Sequence, residues 1–322
     1  MRILFVSRGN SDDGKQSVLI LNQSDSLKNI GLDILEFSVT GKGIKGYIFN
    51  ILKIRKFIKQ QKIDIVHAHY GYCGIISFLA KRKQTKLVLS LMGSDIIKSQ
   101  LNTFTINIIN ETIRNITKFL CAYFIDEVIV KSESMLKFLP KNRTYHIIPN
   151  GVNLAKFHII DKQKAREFLG LDPIKKIILF AADKNRIEKN YKLAKLSVDA
   201  LKNKENVQLV DINGQNQSTL NLYYNAADVL ILTSFYEGSP NVIKEGLACN
   251  KVIVSTNVGD VAKNIENIDN CYIADFNPSD FSNKLEIALT HEHSNGRIKI
   301  LNELDEESIA RKIKNIYISL KA

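Results

Sequence analysis

No apolar run in this 322-residue chain approaches the ~20 residues that cross a bilayer. Cysteine is scarce. Cys73, Cys121, Cys249 and Cys271 stand singly in apolar surroundings, with neither pairing nor metal spacing. That excludes a disulfide framework and suits reduced thiols in a cytoplasm. The opening Met1-Arg-Ile-Leu-Phe-Val-Ser-Arg8 is a strand pattern, charged too soon for a signal peptide. It leads into Ser7-Arg-Gly-Asn-Ser-Asp-Asp-Gly-Lys15, which is not G-x-G-x-x-G and argues against a simple dinucleotide oxidoreductase. There is no Walker loop, and no Asp-x-Asp pair to hold a divalent ion on a sugar-nucleotide diphosphate. No metal and no cofactor is therefore expected. His67 and His69 at a strand end, and His291 and His293 in a polar loop, make no ligand set.

What is there is ordinary in bulk and uneven in charge. Apolar content of 45% and charged content of 24% are those of a soluble globular protein, long enough for two domains. Residues 1–153 hold 22 Lys/Arg against 11 Asp/Glu, whereas residues 154–322 hold 23 against 22. One half thus carries nearly all of the net charge of +12, which points to an anionic surface or acidic substrate on that side. The densest stretch, Gly41 to Lys62, has Lys42, Lys45, Lys53, Arg55, Lys56, Lys59 and Lys62 and no acid. Tyr47, Ile48, Ile51, Ile54 and Ile58 recur there near helical spacing. Such a helix either lies on an anionic inner-membrane surface or packs on the domain with its basic face in water. No nucleic-acid motif accompanies the basic residues, and nucleic acid is not an expected partner.

Strand and helix patterns alternate throughout. Strand-like runs fall at 2–6, 32–37, 63–67, 86–91, 127–130 and 145–148, separated by helical stretches at 15–30, 45–62, 72–83, 106–123 and 132–139. After the turn cluster Ile148-Pro-Asn-Gly-Val-Asn153 a second series begins. Its strands are expected at 176–181, 207–211, 228–232, 251–254 and 271–274, and its helices at 189–202, 218–226, 240–249, 279–290 and 306–320. A βαβ series of this kind implies a mostly parallel sheet. The expected fold is α/β: two doubly wound Rossmann-like domains, 1–153 and 154–322, with a cleft between them and the last helix a candidate to pack back on the first.

The stretch Ser234-Phe-Tyr-Glu-Gly-Ser-Pro-Asn-Val-Ile-Lys-Glu245 carries the most chemistry. Ser239 suits an N-cap and Pro240 a first helical position. A helix starting there would offer the amides of Asn241 and Val242 to phosphate. Glu245 shares the face of Asn241 one turn on, placed to accept two ribose hydroxyls. Glu237, just outside the helix, is placed to do the same for a sugar. The flanking strand patterns put all of this at the carboxyl end of a sheet, where open α/β folds bind ligands.

With these residues the chain resembles the retaining glycosyltransferases of family four, which have the GT-B fold. Glu237 to Glu245 matches the family's E-x7-E signature. Ile148-Pro-Asn-Gly-Val152, Asn225-Ala-Ala-Asp-Val229 and Val258-Gly-Asp260 are similar to its hinge, strand lead and following turn. The resemblance implies that Glu237 contacts the donor sugar and Glu245 the ribose, with Gly238, Ser239, Pro240, Asn241 and Val242 around the sugar and diphosphate. Phe180-Ala-Ala-Asp-Lys-Asn-Arg-Ile-Glu-Lys-Asn190 resembles the family's basic loop and assigns Lys189 to the diphosphate, with either Lys184 or Arg186 beside it. In the first domain Asp64-Ile-Val-His-Ala-His-Tyr-Gly71 resembles the acceptor-side loop, and Leu87-Val-Leu-Ser-Leu-Met-Gly-Ser-Asp95 a stretch where many members have His in place of Met92. Either His69 contributes that contact to the sugar instead or the choice of sugar differs, while Gly9, Gly14, Asp95 and Asn150 fall to the acceptor or the cleft.

The implied activity is metal-independent, retaining transfer of a sugar from a nucleoside-diphosphate sugar to a saccharide or lipid-linked acceptor, in cell-envelope polysaccharide or glycolipid assembly. Two rivals stay open on the same residues: a sugar-nucleotide epimerase, separated by the lack of net transfer, and a non-catalytic sugar-nucleotide-binding subunit, separated by the lack of any turnover. The chain is expected in the cytoplasm, with peripheral attachment to the membrane as the variant its basic half allows.

Overall fold

The computed structural model describes residues 1–9, 14, 16–41, 43–97 and 104–321. The chain divides into two units, Met1–Gly151 with Glu306–Ala322, and Val152–Asp305.

The first unit runs β1 (Arg2–Arg8), α1 (Val18–Asn29), β2 (Asp33–Val39), α2 (Gly43–Gln61), β3 (Ile65–His69), α3 (Gly71–Ala80), β4 (Lys86–Ser90), α4 (Phe104–Tyr123), β5 (Glu127–Val130) and β6 (His146–Ile147). All six strands are parallel, in the order β2-β1-β3-β4-β5-β6. The central strands read as continuous apolar runs because helices cover both faces, so Ile3 to Val6 and Val66 are fully buried. Edge strand β2 mixes exposed and buried positions instead. The stretch expected as a helix at 132–139 is a 3-10 turn, Glu133–Phe138.

The second unit runs α5 (Lys162–Leu169), β7 (Lys176–Phe180), α6 (Tyr191–Asp199), β8 (Val207–Asp211), α7 (Gln217–Ala226), β9 (Val229–Leu232), α8 (Asn241–Ala248), β10 (Val252–Thr256), α9 (Val261–Ile265), β11 (Cys271–Ala274), α10 (Pro278–Ala288) and α11 (Gly296–Lys299). Its five parallel strands are ordered β11-β10-β9-β7-β8. Ile178, Phe180, Val229, Ile231, Val254, Phe281 and Leu285 form much of its core. Helix α5, absent from the expected series, is short but well stopped at both ends. Asp161 accepts the Lys164 amide at 2.9 Å, and Gly170 closes it in the left-handed region. The last helix, α12 (Glu306–Ser319), belongs to the first unit. Its Lys314 Nζ donates to the Ile30 carbonyl at 3.0 Å, and its Tyr317 hydroxyl meets His67 Nδ1 at 2.5 Å.

The two sheets share a topology. In each, the first strand lies between the second and the third, so the crossovers leave it in opposite directions. The carboxyl ends of β1 and β3, and of β7 and β9, therefore flank a switch point, the position where such sheets receive ligands.

Candidate active site

At the switch point of the second unit, the end of β9 grips the loop that follows β7. Thr233 Oγ1 donates to the carbonyls of Lys189 at 2.9 Å and Asn190 at 3.1 Å, and the Phe235 amide donates to the Glu188 carbonyl at 2.9 Å. Asn190, with φ of 51°, ends the Ile187–Lys189 turn and starts α6, a left-handed position that asparagine tolerates. The grip aims Lys189 across the loop, where its Nζ lies 2.6 Å from Glu237 Oε1. The same oxygen accepts Ser234 Oγ at 2.7 Å. Each side chain of the pair is 16% exposed, shielded yet reachable. An ammonium has three donors, so Lys189 can hold Glu237 and still offer a proton to an oxyanion.

Helix α8 starts one residue later than its sequence suggests. Pro240 is the N-cap, with ψ of 120° that keeps it outside the helix, and not the first helical residue. Ser239 is accordingly not the cap. Its Oγ accepts Lys244 Nζ at 3.0 Å. Lys244 is wholly buried. Burial brings its ammonium down to about 8, opposed by Asp260 and Glu245 nearby. Burial likewise pushes the Asp260 carboxyl up, against Lys244, Ser239 and Asn264. Gly259 sits at φ of 61°, and a Cβ there would come within 2.7 Å of the Gly238 carbonyl. The turn after β10 thus presses on the Gly238–Ser239 loop and holds Glu237 at the helix mouth. Glu245, 8% exposed, accepts the buried Tyr224 hydroxyl at Oε2, 2.8 Å away, and burial raises its carboxyl.

The other two basic candidates are engaged elsewhere. Lys184 Nζ lies 3.0 Å from Asp211 at the tip of β8. Arg186, 57% exposed, lies 2.5 Å from Glu188. Lys189 alone of the three reaches Glu237. Sequence reasoning missed Ser234, Tyr224 and Lys244. Lys244 left no signal in the sequence: its burial, with the rest of Ile243 to Ala248, shows only in the fold, and lysine is rarely inside.

In the first unit, β1, β3 and the β4 loop bring together His69, Asp95 and Met92. His67 is fully paired, to Tyr317 and, through Nε2, to Ser90 Oγ at 2.8 Å, while His69 stacks on it at 4.3 Å. Burial holds both imidazoles well below the usual histidine range, and hence neutral. Asp95 accepts the amides of Gly71, Met92 and Gly93 at 2.9–3.0 Å, with burial pushing its carboxyl up to about 6 against them. Gly9 bridges to Gln16, and a Cβ on it would meet the Gly14 carbonyl at 2.5 Å, so this return of the chain requires glycine. Asn150 is half-buried in the segment leaving the unit. Cys73, Cys121 and Cys249 are buried, Cys271 partly so, and burial pushes all four thiols up to about 12. Among the described residues no group of three or more His, Cys, Asp or Glu could hold a metal ion.

Two doubly wound parallel sheets in one chain, the second with a cation–carboxylate pair before the start of α8, are the architecture of the GT-B fold. Residues 15–132 match the family model described as "Glycosyl transferase 4-like", and residues 176–291 the model described as "Glycosyl transferases group 1". The chain belongs to these glycosyltransferases. It is 24% identical to the N,N'-diacetylbacillosaminyl-diphospho-undecaprenol alpha-1,3-N-acetylgalactosaminyltransferase of Campylobacter jejuni, over 95% of this chain and 92% of that one. Among solved structures it matches sucrose-phosphate synthase from Thermosynechococcus elongatus with a TM-score of 0.81 and 16% identity, covering 99% and 98% of the two chains. It also matches Anabaena HepE in complex with UDP-glucose with a TM-score of 0.76 and 14% identity, covering 99% and 100%.

Proposed function

We propose that the chain moves a sugar from a nucleoside-diphosphate sugar to a saccharide or lipid-linked acceptor, with retention, in cell-envelope polysaccharide or glycolipid assembly. The observation that carries this is the shielded Lys189–Glu237 pair, held by the end of β9 in front of α8. The Campylobacter relative is named for a diphospho-undecaprenol acceptor, and HepE was solved with UDP-glucose. Both fit a chain whose first unit is strongly basic. In this scheme Lys189 and the start of α8 stabilise charge growing on the leaving diphosphate, in the role a divalent ion otherwise fills. Glu237 orients the sugar and Glu245 holds the ribose. The acceptor hydroxyl attacks from the face the diphosphate leaves, and the departing phosphate takes its proton. Lys184 or Arg186 joins Lys189 at the diphosphate only after exchanging its present acid partner.

The test is a thermal-shift panel of nucleoside diphosphates and their sugars on wild type and Glu245→Ala. At least one nucleotide should raise the wild-type midpoint by mass action and leave the variant's unmoved. Loss of the Tyr224 partner itself costs about 1–3 kcal/mol. The comparison is therefore between shifts within each protein. Equal shifts in both for every nucleotide would remove Glu245 from the ribose.

We also propose peripheral attachment through α2. That helix packs through Gly46, Asn50, Ile54 and Ile58, spaced by four. The stripe left outside contains Ile48, Phe49 and Leu52, which are 59%, 76% and 73% exposed, among Lys45, Lys53 and Lys56. Ile48, grouped with the packing residues by spacing alone, faces out. An apolar stripe flanked by lysines suits an anionic bilayer. The protein should sediment with vesicles containing phosphatidylglycerol at low salt and be released by added salt. No binding at low salt would end this assignment. No helix among the described residues is long and apolar enough to cross a membrane.

A further inference from the structure

Lys244 breaks two local rules at once. It is the fourth residue of α8, and it is 0% exposed. Lysine is almost never wholly buried unless paired, and a cation near a helix start meets the positive end of the helix dipole. Its ammonium, brought down to about 8 by burial with Asp260 and Glu245 opposing, is still charged at neutral pH. Residues kept against local preference, at a cost to stability, gather at functional sites.

The course of the side chain shows what that cost secures. A helical side chain leans back toward the start of its helix. Lys244 does so and ends on a residue ahead of the N-cap, its Nζ 3.0 Å from Ser239 Oγ. Ser239 lies on the loop that carries Glu237. The carboxylate facing the ammonium from outside α8 is Asp260, on the turn after β10. That turn also presses on the loop through Gly259, where a Cβ would come within 2.7 Å of the Gly238 carbonyl and 3.3 Å of the Glu237 carbonyl. The knot is not built for stability alone, since Asp260 Oδ1 and Asn264 Nδ2 are buried in it without a hydrogen-bond partner. Glu237 is thus held twice: its carboxylate by Lys189 and Ser234, its backbone by the loop that Lys244 and the Gly259–Asp260 turn fix. Once Lys189 also serves the diphosphate, the backbone hold keeps the carboxylate in place.

We propose that Lys244 is a positioning residue for the transfer: through the Ser239 hydroxyl, and balanced by Asp260, it fixes the Gly238–Ser239 loop and so sets where the Glu237 carboxylate meets the donor sugar. The role of Glu237 rests on the transfer reaction proposed above, whereas the clamp on its loop is independent of it.

Hydrogen exchange of the free full chain reads the clamp without any ligand. In Lys244→Met the amides of 235–239 should exchange at least ~10-fold faster, with those of core strand β7 unchanged. Turnover and binding then read the positioning, with UDP, GDP, ADP and dTDP and their glucose derivatives as probes. For the nucleotide that binds the wild type, Lys244→Met should lower kcat at least ~10-fold and leave the Kd of the nucleoside diphosphate within about 3-fold, because Glu237 meets the sugar. Ser239→Ala should reproduce both effects, and adding it to Lys244→Met should cost little more, since the two act as one unit. Should Lys244→Met fail to fold because Asp260 is left uncompensated, Lys244→Met with Asp260→Asn removes both charges and carries the same readouts. Unchanged exchange over 235–239, exchange raised equally through the second unit, or kcat and nucleotide affinity lost together overturns the assignment. Should no probe bind the wild type, the donor reading falls, while the exchange result still decides the clamp.

Discussion

Asp228→Ala should cost about 3–5 kcal/mol of stability, because it leaves a buried guanidinium without its counter-charge. Asp228 is 2% exposed and Arg166 3% exposed. Arg166 Nη2 lies 2.6 Å from Oδ2, Lys162 Nζ lies 2.9 Å from Oδ1, and the Ile177 amide donates to Oδ2 at 2.7 Å. One carboxylate therefore ties α5 to the starts of β7 and β9. Burial pushes that carboxyl up, but Lys162, the Ile177 amide and Arg166 outweigh it and hold it below the ordinary carboxylate range. The sign of the pH dependence follows. The unfolded chain takes up this proton near pH 4, the folded one only lower. The stabilisation is therefore present above about pH 4 and lost as pH falls through the lowered folded value. Denaturant unfolding of the full chain should show the second unit's transition shifted by this amount at neutral pH, with the first unit's unmoved. The gap between variant and wild type should narrow in acid. A loss under ~1 kcal/mol would mean that the clamp is not what holds α5, since that is the range of an exposed pair. Replacing both Asp228 and Arg166 by apolar residues should restore part of the loss.

Asp228 also shows what a sequence can and cannot reveal. Its neighbourhood was conspicuous as the lead into a strand, but nothing local says that its partner lies 62 residues back on a helix the pattern did not suggest. Strands were legible because buried parallel strands are continuous apolar runs, as in Val229–Leu232. Their order was not, because periodicity reports the partner layer and not the neighbour; β7 lies between β9 and β8 through contacts of long sequence separation. In helix α2 the spacing picks out Ile54 and Ile58 on the packing face, includes the exposed Ile48, and passes over Gly46 and Asn50. Gly46 and Asn50 pack inward, Gly46 against Gly41 and Asn50 through its Nδ2 on the Thr40 carbonyl at 2.8 Å, while Phe49 and Leu52 stay out. Motif and resemblance single out Glu237, Lys189 and Glu245 as candidates, and the contact between Lys189 and Glu237 shows only in the fold. So does the Ser239–Lys244 contact, because lysine is the residue least expected inside.

Lys189→Ala should lower turnover, read as transfer or donor hydrolysis, by about 10²–10³-fold, the ~3–4 kcal/mol that one preorganised donor to developing charge supplies. The structure adds a reason for the upper end of that range. Lys189 now neutralises Glu237 at 2.6 Å, so its removal bares a carboxylate where the diphosphate must approach. Stability should change little, since a partly exposed pair contributes about 0.2–1 kcal/mol. The unfolding midpoint thus separates a lost catalyst from a lost fold. Lys189→Arg should recover part of the rate, because charge is kept and geometry altered. In Lys189→Ala with Glu237→Ala the two losses should fall short of adding. The double variant no longer presents an unpaired acid to the phosphates, and groups acting as a unit are not additive. Additive losses would mean that the two residues act on separate parts of the donor and that their contact in the free chain has no bearing on the reaction. A near-normal rate in Lys189→Ala would displace the whole loop from the diphosphate, and with it the order of events at the mouth of α8.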